Sequence, residues 1–270
     1  MQVHSLGYRT DLALLELAGS EIEDRGDHLV IRTPANPRFY WGNFMLLEQP
    51  PEPEAIDELL ARFDATFPHS RHRALGFSGT ADLSTELAPL VSAGLKLDVA
   101  TVMTAQSVHE PPHPNRDPTY RQLVSDHDWA QRIELAVACN DDEHPPAEHL
   151  DFVTRRAASE RARAEAGHGA WWGAFLGDRM VSGMGLFSAS PGLARFQNVE
   201  THPDFRGRGL AGTLVHQVSR YGFDELGAQT LVMVADPDYL AIRIYRSVGF
   251  MDIERENGVE QWDRTAHQPR

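Results

Sequence analysis

Residues 199 to 212 read Val199-Glu200-Thr201-His202-Pro203-Asp204-Phe205-Arg206-Gly207-Arg208-Gly209-Leu210-Ala211-Gly212. The first of these favour an extended strand, Pro203 breaks it, and the chain restarts as a helix through a glycine-rich turn. Gly207 and Gly209 let the backbone bend tightly and approach a ligand closely. The helix they open offers free N–H groups and the positive end of its dipole, so the stretch predicts an anion site, for phosphate first of all.

Working outward, Leu210, Leu214, Val218 and Tyr221 share one face of the helix beginning near Gly207, and residues 230–235 form a buried strand. Upstream, 171–176, 180–187 and 193–202 read as three strands joined by turns at Gly177-Asp178 and Pro191-Gly192, a meander. Before them, 120–123 predicts a short strand, Ser125 or Asp126 caps a helix through Cys139, and Pro145-Pro146 opens a long helix to Ala166. Downstream, 238–248 predicts a helix ended by Gly249, followed by strand-like 250–254 and 259–262.

The stretch 107–118, SVHEPPHPNRDP, has no apolar period and reads as a connector between two halves. The first half repeats the order in shorter form: strands at 29–33 and 39–47, a helix at 53–67, a strand at 73–77, a helix at 84–93 ended by Gly94, and a strand at 95–103. Val91-Ser92-Ala93-Gly94-Leu95 and Arg246-Ser247-Val248-Gly249-Phe250 hold equivalent places. Where the second half has Arg-Gly-Arg-Gly, the first has Gln49-Pro50-Pro51-Glu52-Pro53-Glu54. Prolines remove donors and glutamates oppose phosphate, so this copy is not expected to hold the same ligand.

The 270 residues suffice for two domains, and a single cysteine, Cys139, excludes a disulfide framework and a CxxC metal signature. A reduced, cytoplasmic setting is the corresponding expectation, with no export and no membrane anchor, because residues 1–11 lack a basic start before an apolar core. A net charge of −14 repels nucleic acid and anionic lipid and suits an amine-bearing, cationic partner, although solubility alone accounts for such a charge.

Arg206-Gly207-Arg208-Gly209-Leu210-Ala211 resembles the Arg/Gln-x-x-Gly-x-Gly/Ala signature of the GNAT superfamily of acyl-CoA-dependent N-acyltransferases. Pro203 precedes it at the usual spacing, and Ala241-Ile-Arg-Ile-Tyr245-Arg-Ser-Val-Gly249-Phe250 resembles the family's second signature. The resemblance covers about 120–262; the first half resembles the family in element order alone, like a degenerate copy in a tandem protein. It implies two α/β domains with mixed sheets flanked by helices: a degenerate one at 1–106, a linker at 107–118 and a catalytic one at 119–270.

In such a fold the fourth and fifth strands splay, and the pantetheine arm of acetyl-CoA lies along the fourth, here Val199, Glu200 and Thr201. The diphosphate then rests on the N–H groups from Gly207 through Arg208, Gly209, Leu210 and Ala211 to Gly212, with Arg206 and Arg208 adding positive charge. Asp238 replaces the family's frequent asparagine, which puts its contact with the cofactor in question. The implied reaction moves acetyl to an amine without a metal. It needs a base to take the amine's proton and an acid to protonate the departing sulfur. Glu200 is the candidate base, directed by strand alternation away from the side of Val199 and Thr201; Tyr245 is the candidate acid. Their ordinary alternatives are an exposed strand glutamate and a core aromatic beside Ile242 and Ile244.

Two other readings stand beside transfer to a small-molecule or peptide amine. Gly207-x-Gly209-x-x-Gly212, with Asp236 closing the next strand, also spells the dinucleotide fingerprint of an oxidoreductase, but a hairpin meander precedes it. The third is a catalytically silent module that binds acyl-CoA or mediates dimerisation; the chain is expected as a monomer or a homodimer. Of thirteen histidines, His109 and His113 lie in the connector and His144 and His149 flank a helix start without a carboxylate set, so no metal is expected. Trp171-Trp172 and Phe39-Tyr40-Trp41 read as strand residues of the core, and Asp141, Asp142 and Glu143 as either a solvated loop or one that attracts a cation.

Overall fold

In the computed structural model, which describes residues 1–140 and 145–262, the chain divides into one unit of residues 1–102 with those from 253 onward, and a second of 103–252. The first unit contains α1 (Leu6–Leu17), β1 (Glu21–Asp24), β2 (His28–Arg32), β3 (Phe44–Leu47), α2 (Ile56–Thr66), β4 (Arg73–Phe77), α3 (Ala88–Ser92) and most of β5 (Lys96–Ala105). The second contains β6 (Thr119–Gln122), α4 (Asp126–Ala138), α5 (Pro146–Glu165), β7 (Gly169–Leu176), β8 (Arg179–Ser190), β9 (Leu193–Thr201), α6 (Leu210–Asp224), β10 (Thr230–Ala235) and α7 (Ala241–Arg246). The last strand, β11 (Met251–Gln261), returns to the first unit and pairs antiparallel with β4 from Asn257 to Gln261.

Both units share a run of three strands, a helix and a fourth strand. In the first, β1, β2 and β3 are antiparallel, α2 follows, and β4 lies parallel to β3. In the second, β7, β8 and β9 are antiparallel, α6 follows, and β10 lies parallel to β9. Alternation sorts the side chains: Met45 and Leu47 pack with Phe63 of α2, whereas Phe44 and Leu46 pack with Tyr8 and Leu12 of α1. On β8, Met184 and Leu186 join Leu214 and Val218 of α6, while Gly183 lies against Leu135 of α4 and Phe187 beneath the Arg163 guanidinium of α5.

The two parallel pairs differ in one respect that bears on function. Pairing of β3 with β4 continues to the last residue of each, Leu47 with Phe77, and is extended by a bond from the Ser78 N–H to the Leu47 carbonyl. Pairing of β9 with β10 stops at Arg195 with Val232, although β9 runs on to Thr201 and β10 to Ala235. The parallel pair of the second unit therefore opens where that of the first stays closed.

Three sequence expectations are corrected. The strand expected at 39–47 begins only at Phe44, because Asn43 donates to the carbonyls of Asn36 and Phe39 and Thr33 donates to that of Gly42, closing a turn instead. Phe39-Tyr40-Trp41 thus belongs to a tight turn rather than a strand, with Tyr40 stacked on His72 at 4.2 Å and Trp41 edge-on to Phe44 at 5.5 Å. The helix expected at 238–248 is confined to Ala241–Arg246, since the Asp238 N–H turns back to the Asp236 carboxylate. The two strands expected at 250–254 and 259–262 form one continuous strand, β11, across Asn257-Gly258. Asn257 is fully buried there, donating to the carbonyls of Gly79 and Ala81 and accepting from the Leu83 N–H. Those bonds supply what a turn would otherwise have provided.

α1, which the sequence pattern did not announce, is capped by Ser5, whose Oγ donates to the Glu254 carboxylate at 2.9 Å; the Gly7 N–H adds a second bond at 3.1 Å. A carboxylate at a helix N-terminus offsets its positive end, and it ties the C-terminal strand into the first unit.

Candidate active site

The opening of the second unit's parallel pair begins with a bulge. Gln197 faces Gly185 and Glu200 faces Gly183, so three steps of β9 oppose two of β8. The extra residue is accommodated by Asn198, the one non-glycine among the described residues with a positive φ, 38°.

Past the bulge, successive side chains go to different surroundings. Val199 packs against the core shared with α6 and α7. Glu200 points toward α4, where its carboxylate accepts from Arg132 at 3.2 Å, and Thr201 Oγ1 shares a hydrogen bond with Ser182 at 2.9 Å. The Arg132 guanidinium is wholly buried, lies 4.1 Å over the Trp171 ring, and donates to the equally buried Glu160 at 3.3 Å. Glu160 in turn accepts from Arg156 at 3.0 Å, and Arg156 donates to the Asn198 side chain at 2.8 Å. Burial works against the charge on Arg132, yet Glu160 and Glu200 more than offset it and raise its pKa. Glu200 is thus one end of a buried, charge-balanced chain that includes the bulge residue. Neither an exposed strand glutamate nor an isolated base describes it.

The turn after β9 follows from its glycines. Gly207 and Gly209 have φ of 73° and 75°, and Gly209 stands as N-cap of α6 in the left-handed region. Among the described residues the N–H groups of 207–212 have no hydrogen-bond partner, whereas the Arg206 N–H reaches the Pro203 carbonyl and the Thr213 N–H the Gly209 carbonyl. Six consecutive free donors at a helix start are an arrangement able to take up an anion. Around them, Arg206 Nε donates to the Thr201 carbonyl at 3.2 Å, and Arg208 donates to the Asp204 carbonyl at 2.8 Å while lying 4.9 Å over the Phe205 ring. The Leu210 side chain is buried with Ala174 and Val181, so it is core and only its N–H faces the turn's open side. Ala211 and Gly212 complete the first helical turn.

Tyr245 lies in the core cluster with Phe196, Met233 and Ile242, 5% exposed. Burial pushes its pKa up. Asp238 sits in the exposed loop after β10, its N–H bonded at 2.8 Å to Asp236. The acidic run Asp141, Asp142, Glu143 and the neighbouring His144 lie outside the described residues.

Residues that sequence reasoning passed over complete the site. Arg132 falls on the same helical face as Trp129 and Leu135, where a charged side chain needs a buried partner, and that misfit was its signal. Glu160 and Arg156, spaced four apart on α5, carried only the mark of an ordinary surface pair. Asn115 and Thr213 carried none. Asn115 donates from its side chain to the Arg208 carbonyl at 2.8 Å and from its backbone N–H to Thr213 Oγ1 at 2.8 Å.

Among the described residues no group of three or more His, Cys, Asp or Glu is placed to hold a metal ion, and no helix is long and apolar enough to cross a membrane. β9, α6 and β10 form one parallel βαβ unit, but an antiparallel meander precedes it, whereas a dinucleotide fold begins with that strand and continues in further parallel units.

Comparison with known proteins agrees with this geometry. Residues 126–250 match the profile of the Acetyltransferase (GNAT) family. No curated protein matches in sequence. Among solved structures, a GCN5-related N-acetyltransferase from Kribbella flavida superposes with a TM-score of 0.61 at 14% identity, covering 96% of this chain and 97% of its own. A conserved protein of unknown function from Staphylococcus epidermidis gives a TM-score of 0.67 at 11% identity, over 89% and 93%. A tandem GNAT protein from the clavulanic acid biosynthesis pathway gives 0.55 at 13% identity, over 94% and 90%. With its open fourth and fifth strands and its glycine turn, the segment 126–250 is a GNAT acetyltransferase-family domain, set in a chain whose fold is that of GNAT proteins.

Proposed function

We propose that the second unit transfers the acetyl group of acetyl-CoA to the amine of a small molecule or peptide. The observation that carries this reading is the row of six unpartnered N–H groups at 207–212 beside the opening between β9 and β10. Acetyl-CoA supplies an activated acyl group when bound. The backbone of Val199, Glu200 and Thr201 would hold its pantetheine arm, and the turn from Gly207 to Gly212 its diphosphate, with Arg206 and Arg208 bringing two positive charges to the turn. In the transfer a bond forms from the amine nitrogen to the acetyl carbon and the carbon–sulfur bond breaks; one proton leaves nitrogen and one reaches sulfur.

Glu200 receives the first of these protons and Tyr245 donates the second, and exchange with solvent resets both. Tyr245 takes this role in the reading from its place in the second signature; burial raises its pKa and makes it the weaker acid. The net charge of −14 favours a cationic acceptor. The first unit has the closed strand pair and the proline-rich turn at 49–53, and holds no cofactor in this reading.

One observation favours a second reading, binding of acyl-CoA without turnover: the Glu200 carboxylate is already engaged by buried Arg132. Calorimetry with coenzyme A, run beside an assay of free thiol release from acetyl-CoA across a panel of amines, separates the two. Binding with amine-dependent thiol release supports transfer, binding without release supports the silent module, and absence of binding refutes both.

A further inference from the structure

The connector between the halves does more than span them, because within the second unit it lies against the glycine turn. A β-carbon at Gly209 would run into the carbonyl oxygen of His113, and one at Gly212 would come within 3.3 Å of Pro111. Between those two contacts Asn115 makes a small hydrogen-bond system. Its side-chain amide donates to the Arg208 carbonyl at 2.8 Å, and its N–H donates to Thr213 Oγ1 at 2.8 Å. Thr213 Oγ1 donates to the Gly209 carbonyl at 2.9 Å, and the Tyr120 hydroxyl donates to the Asn115 carbonyl at 2.6 Å. Asn115 Oδ1 separately accepts from the Asp117 N–H at 3.0 Å, which shapes the connector itself.

The carbonyl of Arg208 and the N–H of Gly209 belong to one peptide plane and point in opposite directions. Drawing that carbonyl toward Asn115 therefore turns the Gly209 N–H away from Asn115. A glycine at φ near 75° tolerates both orientations of such a peptide, so the turn by itself does not decide between them. In the other orientation the Arg208 oxygen would face an incoming anion.

From this we infer that Asn115 is a positioning residue for anion binding: its side-chain amide, reaching in from the connector, holds the Arg208–Gly209 peptide with its N–H toward the diphosphate. The inference rests on the acetyl-CoA reading of the turn. The oxygen-lined surface of the connector here serves as a template for the donors, and the role belongs to cofactor affinity rather than to the acyl transfer step.

The test is the KM for acetyl-CoA and the calorimetric affinity for coenzyme A in the full-length chain, comparing Asn115→Ala and Asn115→Asp with the parent. Aspartate keeps the acceptor for the Asp117 N–H, and with it the connector's own turn, but cannot donate to Arg208. Both variants should raise KM and Kd about tenfold, the worth of one ordinary hydrogen bond, with kcat within about twofold. Arg116→Ala, which removes an exposed pair with Glu110, should leave both constants unchanged. An Asn115→Ala variant that binds coenzyme A as tightly as the parent, or a loss confined to kcat, overturns the inference. If only Asn115→Asp loses affinity, added charge is the cause and the inference also fails. A parent chain that binds no coenzyme A refutes the functional reading itself, which keeps the two failures distinct.

Discussion

Gly207 and Gly209 offer a comparison in which the backbone term cancels. Both sit in the left-handed region, at φ of 73° and 75°, so replacing either by alanine carries the same conformational cost of about 1–2 kcal/mol. Their surroundings differ. No atom lies within 4 Å of a β-carbon at Gly207, whereas at Gly209 it overlaps the His113 carbonyl, and the connector is fastened there by Asn115. Relieving such an overlap in packed structure costs about 1–3 kcal/mol more. Gly207→Ala is therefore expected to lose about 1–2 kcal/mol and Gly209→Ala about 2–5 kcal/mol. Urea unfolding of the two variants beside the parent measures the difference directly, provided the slope with denaturant is shared. Equal losses, or a larger loss at Gly207, would refute the placement of the connector against the turn.

Two further outcomes are expected. Tyr245→Phe should lower kcat about a hundredfold while leaving the KM for acetyl-CoA within about twofold, as loss of a general acid does; steady-state kinetics with undiminished turnover removes the role. Glu260 is 8% exposed, accepts from Trp41 Nε1, and burial together with nearby Asp98 pushes its pKa from 4.5 up to about 7. A raised carboxyl stabilises the fold fully below the unfolded pKa, and this contribution is lost as pH rises from 4.5 through 7. Glu260→Gln should then raise stability by about 3 kcal/mol at pH 8 and change it little at pH 4, measured by unfolding at both; equal effects at the two pH values would show that the carboxyl is not perturbed.

How far the site was legible depends on whether its determinants are local. The glycine turn was, because φ above zero and unpaired N–H groups at a helix start follow from residue type and order. The signature around Tyr245 and the antiparallel meander were legible for the same reason, each resting on periodicity and turn residues over a few positions. The charge-balanced chain from Arg132 through Glu160 and Arg156 to Asn198 was not. It joins α4, α5 and β9, and no spacing along the chain tells that an arginine on one helix will meet a strand glutamate 68 residues later. The bulge was hidden too, since a strand's extra residue shows only against its partner's register.

Local signals also misled in places. Asn257-Gly258 reads as a break and is strand, because buried partners at Gly79, Ala81 and Leu83 satisfy the asparagine. Phe39-Tyr40-Trp41 reads as strand and is a turn, because Asn43 competes for the carbonyls.

By itself the amino-acid order determined the α/β elements, their repeated order, and a glycine turn opening a helix in one copy and not the other, all consequences of backbone freedom and side-chain periodicity within a short window. Tertiary structure alone decided that β9 and β10 part after Arg195, that Glu200 is held by a buried guanidinium, and that the connector fastens Arg208. Each of these depends on which groups distant in sequence meet in space; for Glu200 the meeting is with a buried guanidinium, where an unpaired charge is costly and the partner that relieves it can come from anywhere in the chain.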